Sequence, residues 1–298
     1  MAATTEDDPF ASTRMSIGAH LEELRKRTFR SVLVLLVCFL VAWSFRDRIT
    51  GVVMWPWREA VGKINADLVV RYESELAAQP DIDRARYFRS ADPASPDYKV
   101  LREPVDERLA SFGVGDSFFF ALNVSLWSAF FLGAPFVLWQ LWQFIAAGLY
   151  AHEKKFVHLY FPFSVGLFVA GVLFCYYFVV SVGMYFLSST LPLEQVRPMV
   201  GVDRYFDFLS TMCLAMGAVF QIPVLMIFFS SIGIIEPSTY GKYRGHFLIV
   251  ALLVAAILTP GPDMYSQMLM AGPMLILYEV GIVLAKWRGK SRRHPTRA

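Results

Sequence analysis

The sequence predicts an all-α integral membrane protein of six transmembrane helices. N- and C-termini are expected in the cytoplasm, the last two spans short, and the first periplasmic loop long. Three observations carry this. Of 298 residues, 56% are apolar and only 18% charged, with a mean hydropathy of +0.45, whereas a soluble domain is nearer a quarter charged. The apolar residues fall in runs long enough to cross a bilayer. Lysines and arginines collect between alternate runs.

The first 14 residues hold Glu6, Asp7 and Asp8 and no apolar core, so no cleavable secretory signal is expected. Residues 1–15 read as a disordered start. Ser16 suits the cap of an amphipathic lead-in through Ile17, Leu21 and Leu24, with Glu22 and Glu23 four residues before Lys26 and Arg27. Phe29 to Phe45 is the first span, and it must borrow a turn to reach the roughly 20 residues a bilayer requires. Arg46 to Asp116, about 70 residues of balanced charge, reads as an aqueous loop or small domain, with helical turns over Val52–Leu68 and Asp106–Phe112.

Ser117 to Leu138 is the second span, with a break predicted at Gly133-Ala-Pro135. Gln140 to Lys155 reads as a tight interfacial turn. Trp139, Trp142, Phe144 and Tyr150 suit the headgroup level, and Lys154 and Lys155 mark the cytoplasmic side. Glu153 is the odd member there: either the lysines neutralise it or it is held for a cationic partner. Phe156 to Leu187 is the third and longest span. A short outer loop with Pro192 and Pro198 leads to the fourth, Tyr205 to Ile232, which holds Gln221 near its middle and Pro223 two residues on.

The fifth run, Phe247 to Thr259, has 13 residues, or roughly 20 Å of helix. A Thr259-Pro-Gly-Pro-Asp263 turn joins it to the sixth, Met264 to Ala285, and 287–298 form a basic tail. These last two spans suit thinned or protein-lined bilayer. Short inner segments would hold Arg14, Arg25, Lys26, Arg27 and Arg30, then Lys154 and Lys155, then Lys242 and Arg244, then Lys286 to Arg297. The short outer loops offer only Arg197 and Arg204.

Several functions are excluded or weakened. None of the five histidines lies in a His-Glu-x-x-His pattern, no serine is framed as Gly-x-Ser-x-Gly, and no Gly-rich loop ends in Gly-Lys-Ser/Thr. No enzymatic chemistry and no cofactor or metal is therefore expected. Cys38, Cys175 and Cys213 sit in apolar runs and match no ligand or disulfide framework. A net charge of +3, dispersed along the chain, gives no nucleic-acid patch. A secondary transporter of a small solute remains an alternative, with Asn123, Gln221 and Glu279 as its few polar residues within spans. The remaining class is a receptor or scaffold that binds protein at the inner face.

Three motifs favour that class. His20-Leu-Glu-Glu-Leu-Arg-Lys-Arg27 resembles the His-Leu-x-Glu-Leu-Arg motif of the TatC family, the polytopic subunit of the twin-arginine protein translocase. Phe144-Ile-Ala-Ala-Gly-Leu-Tyr-Ala-His-Glu-Lys-Lys155 is similar to that family's first inner loop, and Leu258-Thr-Pro-Gly-Pro-Asp-Met-Tyr-Ser-Gln267 to its last outer turn. The resemblance runs from about Ser16 to Lys286, apart from the long first loop. It implies a bacterial inner-membrane protein that binds twin-arginine signal peptides. With small single-span partners of the TatA and TatB type, and as a homo-oligomer within the receptor complex among membrane lipids, it would export folded proteins on the proton-motive force.

Carried over residue by residue, the resemblance makes Glu23 and Glu153 the acceptors of the arginine pair, with His20 and Arg25 in the same site. Thr259 and Gln267 resemble a polar contact for partner subunits. Gln221 stands where many members have a glutamate, so it either meets a partner helix or satisfies backbone loosened by Pro223.

Overall fold

The computed structural model describes residues 17–78, 105–150, 153–189, 199–259 and 264–292. These residues are helical, apart from turns, short extended stretches and one isolated bridge between Ala110 and Gly201. The helices are α1 (Ile17–Ser44), α2 (Arg46–Val53), α3 (Trp55–Ala78), α4 (Asp116–Ala147), α5 (Lys154–Phe174), α6 (Ser181–Ser189), α7 (Val202–Val219), α8 (Ile222–Ser231), α9 (Pro237–Lys242), α10 (Arg244–Leu258) and α11 (Met264–Arg292). Among the described residues five helical stretches are long and apolar enough to cross a membrane: Gly18–Ser44, Asp116–Ala147, Lys154–Ser188, Val202–Ser231 and Gln267–Arg288. The 15-residue α10 is a shorter sixth.

The amphipathic lead-in and the first span form one helix, α1, so the span takes its missing turn from the charged segment. α1 runs antiparallel along α4, its partner over most of its length, from His20 against Phe144 to Trp43 against Phe118.

The helical turns expected over Val52–Leu68 are present as the end of α2 and as α3, which runs on to Ala78. Trp57, Ala60, Val61 and Ile64 recur at helical spacing on α3 and are all but completely buried, against Cys175, Val180, Tyr205 and Met212 of the main core. The helical turn expected over Asp106–Phe112 is absent, because other partners take that backbone. The Asn65 amide brackets Val105, accepting from its N–H and donating to its C=O, and Ala110 exchanges hydrogen bonds with Val200 and Val202. Trp57 Nε1 also donates to the Glu107 carbonyl at 2.9 Å.

The predicted turn over Gln140–Lys155 is shorter than expected. α4 continues through Pro135 to Ala147, leaving 148–153 as the link. Trp142 is 2% exposed and meets Phe228 edge-on at 4.9 Å, so protein and not headgroups surrounds its ring. The third span contains a π turn, Cys175–Val180, between α5 and α6. Tyr176 in that turn donates to the Val52 carbonyl, and Tyr205 of α7 to the Val53 carbonyl at 2.7 Å, adding side-chain donors at the C-terminal end of α2.

The fourth span breaks at Phe220–Gln221 into α7 and α8, where Pro223 has no N–H to continue the ladder. α7 approaches α5 so closely that a Cβ on Gly171 would lie 2.8 Å from the Met216 carbonyl oxygen, which leaves room only for hydrogen. α8 ends at Gly233, with φ +83°, where Ile234 N–H reaches back to Phe229 O and Gly233 N–H to Ser230 O. α11 then runs beside α8 and α10 and continues to Arg292, beyond the predicted span end at Ala285. Residues 1–16, the loop prolines Pro192 and Pro198, the turn at 260–263 and the tail from 293 lie outside the described residues.

Candidate functional site

Helical spacing places His20, Glu23 and Arg27 on one face of α1, and that face looks at α4. The His20 imidazole stacks on Phe144 with ring centroids 4.3 Å apart. One turn on, Glu23 and Arg27 form an ion pair, and Arg27 Nη1 reaches the Gln140 side-chain oxygen at 3.4 Å. The other acid of the motif behaves differently. Glu22 turns outward to Arg25 at 2.8 Å and Lys26 at 3.8 Å, with the side chains 42%, 77% and 59% exposed. Glu23 and Arg27 are only 27% and 16% exposed, so their attraction is less screened than that of the outer pair.

Glu153 stands at the same end of the bundle, just past the α4 terminus. Its backbone N–H donates to Tyr150 O at 2.9 Å, and its carboxylate accepts from Tyr150 N–H at 3.1 Å. The carboxylate reaches back three residues, as the acid of a capping box does, and tightens the turn before α5. Lys154 and Lys155 beside it are exposed, with Lys155 Nζ over the Phe156 ring at 5.6 Å. The lysines therefore face outward.

His20 and Glu23 thus share one face of α1, on the end of the bundle where Glu153 closes the link beyond α4. Arg25 is on that end but on the opposite face of α1, paired with Glu22. Gln140 and Phe144 complete the α4 side, and the motif resemblance does not point to them as site residues. Their spacing of four, with a glutamine inside an apolar run, is the signal that places them together on one helix face.

Thr259, Gln267 and Gln221 do not join this cluster. Thr259 is buried at the end of α10, and its hydroxyl donates to Ala255 O at 3.0 Å. Gln267 Nε2 donates across the α10–α11 hairpin to Leu252 O at 2.9 Å. Gln221 binds Ser164 on α5, accepting from its hydroxyl and donating to its carbonyl at 3.0 Å. Its side chain therefore serves α5 and not the backbone freed by Pro223. Glu279 pairs with Arg244 at 2.7 Å, and both are about half exposed. No group of three or more metal-ligating side chains occurs among the described residues.

Comparison with known proteins gives a consistent picture. The family model described as Sec-independent protein translocase protein (TatC) matches residues 19–273. The chain is 31% identical over 273 residues to the Sec-independent protein translocase protein TatC of Halothiobacillus neapolitanus, covering 92% of this chain and 63% of that protein's length. It is 30% identical over 285 residues to the protein of the same name from Carboxydothermus hydrogenoformans, covering 95% of each. A crystal structure of the twin arginine translocase receptor TatC matches the fold with a TM-score of 0.65 at 26% identity, over 91% of this chain and 99% of that one.

Proposed function

The chain belongs to the TatC family of Sec-independent protein translocase proteins, and from that premise we propose that it is the subunit that receives twin-arginine signal peptides. It is a multi-pass protein of the bacterial inner membrane and works in protein transport. In the proposed reading, Glu23 and Glu153 accept the arginine pair. The complex contains small single-span subunits of the TatA and TatB type, and folded passengers cross on the proton-motive force without nucleotide or cofactor.

The observation that carries the reading is the position of the two carboxylates at one end of the bundle. One lies on α1 where His20 stacks on α4; the other closes the link that leaves α4. That end also carries Arg25, Lys26, Arg30, Lys154, Lys155, Lys242, Arg244 and Lys286, as a cytoplasmic face requires. A guanidinium presents a planar fork that a carboxylate meets bidentately, whereas an ammonium is a point charge; arginine preference follows. Charge-assisted hydrogen bonds contribute roughly 1.5–3 kcal/mol each, so two such sites supply a large share of the roughly 8 kcal/mol of a micromolar complex.

The test is photocross-linking from Leu24 and Tyr150, both exposed at this end, to peptides bearing Arg-Arg or Lys-Lys. Labelling by the Arg-Arg peptide that is lost in Glu23→Ala and Glu153→Ala is the expected result. Equal labelling in folded variants would overturn the assignment. Solute uptake by vesicles containing this chain alone would point to a carrier instead.

A further inference from the structure

We propose that Arg27 is a resident occupant of the receptor carboxylate, so that an incoming arginine takes Glu23 by exchange with Arg27. The inference rests on the reading above, in which Glu23 is an acceptor.

The pair is placed to matter. Glu23 and Arg27 are mostly withdrawn from solvent, while the neighbouring Glu22–Arg25 pair is open to it. The resident guanidinium already makes, with a group of this chain, the kind of contact that a signal-peptide arginine would make.

Its remaining donors are poorly met. A guanidinium has five N–H donors in a rigid fork. In Arg27, Nη2 meets Glu23, and Nη1 reaches Gln140 at 3.4 Å, the outer limit of a hydrogen bond. Nε is buried and has no hydrogen-bond partner among the described residues. Buried donors are normally satisfied, and one left unmade weakens the arrangement that holds it. Gln140, 7% exposed on α4, draws the guanidinium toward the helix interface. The contact is thus correctly charged but incompletely satisfied, which makes it exchangeable. A ligand arginine that grips Glu23 through both nitrogens replaces a weaker version of the same interaction.

A definite linkage follows. A site that is competent only when Arg27 has moved binds every ligand more weakly, by the fraction of time it stands open. That penalty is independent of the ligand. Releasing it raises the affinities of Arg-Arg and Lys-Lys peptides by the same factor and leaves their ratio to the geometry of Glu23 itself.

The experiment measures binding of fluorescent Arg-Arg and Lys-Lys signal peptides to the full-length protein in nanodiscs, with folding checked by thermal melting. Arg27→Gln is expected to tighten both peptides, on the order of tenfold, at an unchanged ratio. Arg27→Lys and Gln140→Leu, which loosen the resident without removing it, are expected to give gains of about threefold. A gain in affinity is a result that structural damage does not produce. Unchanged or weaker binding by folded Arg27→Gln overturns the exchange; if that variant does not fold, no gain in the other two does so. Glu23→Gln is the separating arm. Wild-type affinity in Glu23→Gln would overturn the receptor reading, whereas weakened binding there without a gain in Arg27→Gln overturns the exchange alone.

Discussion

The two ends of the bundle use polar side chains in opposite ways. At the His20 end, Glu23, Arg27 and Gln140 meet side chain to side chain across two helices, with one contact long and one donor unmade. At the Thr259 end, the Thr259 hydroxyl and the Gln267 amide close onto carbonyls of α10 itself. Carbonyls of the chain's own backbone are always present, so polar groups spent on them fix the shape of the hairpin. Side chains paired with other side chains can change partner. On the proposed reading, the Glu23–Arg27–Gln140 cluster suits exchange and the hairpin end suits rigidity.

Substitutions rank the two ends. Glu23→Ala should have the largest effect, lowering affinity for an Arg-Arg peptide about 10- to 100-fold, the span of one to two charge-assisted bonds, as read by fluorescence anisotropy. Glu153→Ala is expected to follow at about tenfold. It also frees the Tyr150 N–H, so the link before α5 should gain hydrogen exchange. At the other end, Gln267→Leu should lower co-purification of a single-span partner only about fivefold, since one polar contact between membrane helices contributes about 1 kcal/mol. A larger loss there than at Glu23 would reverse the comparison. Glu22→Gln should change peptide affinity less than about twofold, because its partners are solvated; a larger change would show that the outer face of α1 also takes part.

Much of this was legible in the chain. Long apolar runs and the distribution of lysine and arginine marked the spans, because bilayer thickness and backbone satisfaction leave few alternatives. The first motif singles out Glu23 over Glu22, but not the direction in which each side chain turns. Only the packing of α1 on α4 decides that Glu23 turns inward and Glu22 outward. Trp142 was placed at the headgroups because tryptophan suits that depth, but its position on α4 aims it at Phe228. The helical turns over Val52–Leu68 are legible in the sequence, but charged neighbours on the other faces of α3 hide that Trp57, Ala60, Val61 and Ile64 meet the core. Asp106–Phe112 reads as helical from the sequence because local propensity says nothing of distant partners, here Trp57 and Val200.

The two tyrosine hydroxyls that end α2 have a mechanical consequence. They tie the α2–α3 segment to the π turn and to α7 through Val52 and Val53, two polar links between elements otherwise joined by apolar packing. Phenylalanine at positions 176 and 205 would keep the rings and remove both links at almost no change in volume, leaving the apolar seam of α3 to hold the segment by itself.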